Sequence, residues 1–227
     1  MWQRLPIEVT MDILGHAIML VPVYNKPGRV VDKKWFGILT GLGMFIKSRQ
    51  YCKPFPMAMM KAFYQGNDFV FEREPTTHHS TPWLTSAAPA LPPQVCRGFL
   101  RRIQITLRLE DFYNVPQSTM PGDYKPMRRC AIRSVEELFK YSPGARCLRT
   151  LTDESDGFCN LDSLDLIIIT DFRMGDEAAL ELIEEAAFAV RARKVTITVP
   201  CHPGHGTSAR FGWLPEVADL IAVESLT

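Results

Sequence analysis

The chain has 227 residues, of which 46% are hydrophobic and 22% charged, and its net charge is +1. A length of this order buries roughly 70–75% of the surface exposed by the unfolded chain, enough for one large domain or two small ones without covalent staples. The nearly balanced charge gives no electrostatic case for DNA, RNA or an anionic membrane as primary partner. Six cysteines, at 52, 96, 130, 147, 159 and 201, show no CxxC spacing, and no apolar leader precedes Leu5-Pro6. Both features point to reduced thiols in a cytoplasmic or nuclear protein. The longest apolar run, from Ile18 to Val23, is broken by Pro22 and falls far short of the ~20 residues that span a bilayer.

Residues 5–20 read as a helix. Pro6 suits the first turn, Glu8 faces the positive end of the dipole, and Val9, Ile13 and Ala17 recur at four-residue spacing, extended by Leu14 and Ile18. Residues 21–34, with Pro22, Pro27 and Gly28, read as a loop holding short strands near Val23 and Val30. Ile38, Leu42, Phe45 and Ile46 predict a second helix over 35–51, and Met57, Met60 and Phe63 or Tyr64 a third over 56–64. Gly66-Asn67 ends that helix, because both residues tolerate a left-handed cap, and a strand follows over 68–72. These segments form a first part, 1–73. Five prolines with several Ser and Thr make 74–97 a linker or long loop.

The second part, 98–227, alternates strands with helices. Ile103, Ile105, Leu107 and Leu109 alternate with Arg102, Gln104, Thr106 and Arg108, the pattern of a half-buried strand. A loop is expected over 114–126. A helix is expected over 132–141, capped by Ser134 with Glu137 three residues on and terminated by Pro143-Gly144. Leu164 to Thr170 reads as a strand covered on both faces. A long helix is predicted over 176–192 on the stripe Ala179, Leu182, Ile183, Ala186 and Val190, and a strand over 194–199. Strand, helix and strand in that order favour parallel pairing.

Leu5-Pro6 with Glu8, then Ser48-Arg49-Gln50, then Phe63-Tyr64-Gln65-Gly66-Asn67-Asp68-Phe69-Val70-Phe71, then Leu100 to Ile103, form an ordered set of motifs. The set resembles a group of fungal F-box-like proteins, which read LPxE, an SRQ-like turn and FYxxNxFxF. The resemblance covers the first half of the chain and extends to the second only in general pattern. It implies an α/β (α+β) fold in which F-box-like helices pack on a C-terminal βα sheet or a short leucine-rich-repeat-like arc. It also implies that Leu5, Pro6, Glu8, Ile13 and Leu14 dock the Skp1 adaptor of a ubiquitin ligase, helix in groove. A second, client protein would then meet the sheet and the loops 74–97 and 201–212. The segment 21–34 sets the second helix later than a typical F-box does, and no Val-x-x-x-Trp ending is present.

The expected function is therefore a non-enzymatic protein-interaction module, with no cofactor and no nucleic-acid or membrane partner. A self-contained scaffold with no ubiquitin link is the alternative. A third reading is a Cys- or zinc-dependent enzyme. It rests on Cys201, His202 and His205, with His78-His79 as further ligands, although the paired knuckles of a structural zinc site are missing. No GxGxxG, GxxxxGK[ST] or GxSxG motif occurs. Asp171, at the carboxyl end of a predicted parallel strand, stands where α/β sheets place functional groups.

Overall fold

The computed structural model describes residues 30–31, 55–71, 91–116, 127–153, 157–172, 176–200 and 214–226, together with Pro6, Val9, Pro89 and Ser155. Their architecture is mixed α/β, built on a parallel sheet. Five strands, β1 (Val30–Val31), β2 (Asp68–Phe71), β3 (Arg102–Glu110), β6 (Ser163–Asp171) and β8 (Lys194–Thr198), lie side by side in chain order. Each new strand adds to the same edge. The register runs Val30–Asp68–Arg102–Ser163–Lys194 straight across the sheet.

Helix α1 (Phe55–Gly66) precedes β2, and the short α2 (Gln94–Arg97) precedes β3. At the end of α1, the Asn67 Nδ2 donates to the Phe63 carbonyl at 2.8 Å. The side chain thereby caps the last turn of the helix, where carbonyls run out of main-chain donors. Phe63, Tyr64 and Phe69 are buried and meet ring to ring at 5.1–5.4 Å, as expected for core aromatics. They share one apolar cluster with Leu100, Ile103, Ile105 and Leu166. The motif stretch of the first part thus packs on the strands of the second.

Between β3 and β6 the chain departs from the sequence-based expectation. Asn114, Val115 and Pro116, expected at the start of the loop 114–126, lie in β4 (Phe112–Pro116), which pairs antiparallel with β5 (Met127–Ala131), and 117–126 lie outside the described residues. Helix α3 (Val135–Tyr141) forms with the expected cap: Ser134 Oγ accepts from the Glu137 N–H, and Glu137 Oε2 accepts from the Arg133 N–H. Pro143-Gly144, expected to end a helix, instead starts another, α4 (Pro143–Thr152). Ser142 caps it and proline fills the first turn, where its missing N–H costs nothing. Gly144 has a packing reason, because a Cβ there would overlap the Arg108 carbonyl oxygen as α4 rides on β3.

The helix predicted over 176–192 is two elements. Helix α5 (Asp176–Glu185) stops where Ala187 adopts φ 48°, and β7 (Ala189–Ala192) follows. Val190 therefore packs in the core from a strand, and Arg191 belongs to β7 rather than to a helix end. β7 pairs in parallel with β9 (Ala222–Ser225), which a 3₁₀ turn (Pro215–Ala218) precedes. The corners before successive strands also stack: Ser163 N–H donates to Arg101 O, Lys194 N–H to Asp162 O, and Ala222 N–H to Phe188 O. Among the described residues, no helix is long and apolar enough to cross a membrane.

Candidate functional site

The period of two along each strand, together with the shared register, gives the sheet two chemically different faces. On one face Phe69, Ile103 and Leu164 form a row, followed by Ile105 with Leu166 and Leu107 with Ile168, all buried. On the other face the rows are Asp68, Arg102, Ser163 and Lys194; Val70, Gln104, Asp165 and Thr196; and Thr106, Ile167 and Thr198. Arg102, Asp165, Lys194, Thr196 and Thr198 are exposed, and Gln104, Thr106, Ile167 and Ile169 are half-buried. This face is a shallow polar surface threaded by β-branched side chains.

Two of its arginines, Arg102 and Arg108, pair with carboxylates of neighbouring strands. Arg102 binds Asp68. Further along, Arg108 Nη2 lies 2.8 Å from Asp171 Oδ2 and its Nε 3.6 Å from Glu110 Oε1. The Asp171 and Glu110 side chains are only 7% and 11% exposed, whereas Arg108 is 36% exposed. Two carboxylates taken out of water at the strand ends share one guanidinium, which offsets part of their desolvation. Asp171 was legible as a strand-end acid. Its partner was not singled out, although the alternation of β3 puts Arg108 and Glu110 on this same face.

Two of the described thiols, Cys96 and Cys147, are buried. Burial pushes Cys147 up to about 12. Burial also raises Cys96, partly opposed by its hydrogen bond with Tyr64, and raises the Tyr64 phenol. A buried, protonated thiol is a packing group. Among the described residues, no group of three or more His, Cys, Asp or Glu is arranged to hold a metal ion. Cys201, His202 and His205, and His78-His79, lie outside the described residues.

Of the predicted docking residues, Leu5, Glu8, Ile13 and Leu14 also lie outside the described residues. Pro6 is exposed, and Val9, in helical backbone, is 44% exposed. Compared with known proteins, the chain matches no family model, no curated protein and no solved structure.

Proposed function

We propose that the chain is a non-enzymatic protein-interaction scaffold of F-box-like type. Its opening segment docks a Skp1-type ubiquitin-ligase adaptor, and its sheet meets a client protein in the manner of a short leucine-rich-repeat-like arc. The supporting observation is the chain-order addition of parallel strands, which sets the polar faces of β2, β3, β6 and β8 side by side and leaves Arg102, Asp165, Lys194, Thr196 and Thr198 in solvent. Side chains held by a shared ladder lose little further freedom on binding, so less of the contact energy goes into ordering them. The exposure of Pro6 and of the apolar Val9 suits a segment that a partner covers. A reducing cytoplasmic or nuclear compartment suits the four described cysteines, all free thiols.

The test is retention of the purified adaptor by the immobilised full chain. Wild type is expected to hold it and the Leu5→Ala/Pro6→Ala double variant to lose it. A folded wild type that retains no adaptor removes the docking half of the reading.

A further inference from the structure

The helical layer is electrically split in two. At one end, α3 and α4 expose Lys140, Arg146 and Arg149, with Arg133 exposed just before them; Glu136, Glu137 and, at the C-terminal cap of α4 beside Arg149, Asp153 are the described acids of this half. At the other end, α5 and the 3₁₀ turn expose Glu177, Glu181, Glu184, Glu185, Glu216 and Asp219. No lysine, arginine or histidine occurs in 176–187 or 214–226. The halves adjoin. α3 packs against α5, the Phe139 ring meets Phe188, which follows α5, edge-on at 5.8 Å, and α5 packs against the 3₁₀ turn.

The cations of the first half are held in place. Lys140 Nζ sits 5.0 Å from the centroid of the Tyr141 ring, which stacks on Tyr113 at 3.8 Å. Arg146 Nη1 donates to the Lys140 carbonyl at 2.8 Å. Their aromatic neighbours spend ring faces on one another and on the ammonium, so this surface does not offer nucleobases a stacking platform.

Adjacent patches of opposite sign are complementary under a two-fold rotation, which lays each on the other's counterpart and closes the assembly at two copies. A separate polyanion docking on Lys140 and Arg146 meets repulsion from α5, and a polycation docking on α5 meets it from α3 and α4. A second copy of this chain satisfies both patches at once. We propose that the protein forms a two-fold symmetric dimer through its helical layer, with Lys140 and Arg146 of each copy facing Glu181 and Glu184 of the other. This association is independent of the adaptor reading, and because the helices lie opposite the open sheet face, it leaves two such faces available.

Sedimentation velocity of the full chain at low and high salt tests this directly. Wild type is expected to dimerise at low salt and dissociate as salt rises. Lys140→Glu/Arg146→Glu and Glu181→Lys/Glu184→Lys are each expected to be monomeric, while their equimolar mixture regains a dimer at least about tenfold tighter than either alone. Regained association is a gain that misfolding cannot mimic, and the milder Lys140→Gln/Arg146→Gln variant is expected to weaken the wild-type dimer. A wild type monomeric at low salt, a dimer indifferent to the charge reversals, or variants that stay monomeric when mixed would overturn the proposal.

Discussion

Asn67 explains why a motif of aromatic residues carries a buried amide. Its Nδ2 holds the Phe63 carbonyl from within the core, at 5% exposure, and so fixes the turn that carries the chain from α1 into β2. Replacement by alanine removes this buried hydrogen bond. Asn67→Ala is expected to cost about 1–2 kcal/mol in urea unfolding, while Gln65→Ala, nearer the surface, costs little. Cys147 makes a different kind of statement. Its thiol is pushed up to about 12 from an ordinary value of 9.0 by burial. Below 9.0 folded and unfolded chains both keep the proton, and this group adds no pH dependence. Between 9.0 and about 12 the unfolded chain has lost the proton while the fold retains it, so stability falls as pH rises. Thermal melts from pH 9.0 upward should show that decline, with a shallower slope in Cys147→Ala.

The elements divide into those whose own residues declare them and those decided by neighbours. β3 and β6 were readable because alternation and a run of Leu and Ile leave few alternatives. The cap of α3 was readable because Ser134 with Glu137 acts locally; α1 ends at Gly66 as expected, but neither Gly66 nor Asn67 takes the left-handed conformation, and Asn67 acts through its side chain instead. α4 was missed because Pro143-Gly144 is ambiguous in isolation; proline both ends one helix and opens the next, and the need for glycine comes from Arg108, distant in sequence. β7 was missed because its helical stripe continues past Glu185, while the break is one exposed alanine in left-handed backbone. That conformation burdens a residue with a Cβ by roughly 1–2 kcal/mol. Ala187→Gly is therefore expected to stabilise the protein by about 1 kcal/mol, read as a higher urea midpoint with an unchanged slope. At the far end of β3 and β6, Arg108 joins two strands through Asp171 and Glu110. Arg108→Met keeps the length and removes the charge. Because the guanidinium is partly solvated, the expected loss is about 2 kcal/mol, below the ~3–5 kcal/mol of a fully buried pair.

For the whole molecule, the separation of strands at 102, 163 and 194 in sequence conceals their equivalence in space. The hairpin and two helices between β3 and β6 are an insertion into an otherwise regular stack, so the irregular spacing hid how the strands add in order. The open sheet face follows from that order, since parallel neighbours in one register put their polar side chains in shared rows. What the sequence left unread was charge placement across elements. Arg108 with Asp171, and the opposed signs of α3–α4 and α5, exist only once distant segments meet. The docking account assigns adaptor binding to the opening segment and leaves the sheet face free for a client. Calorimetric titration of purified adaptor into the full chain tests that assignment most directly. The account predicts saturable heat that Leu5→Ala/Pro6→Ala abolishes and that Asp165→Arg/Thr196→Arg, on the sheet face, leaves unchanged. Folded wild type giving no heat, or equal heat from the Leu5→Ala/Pro6→Ala chain, would contradict it.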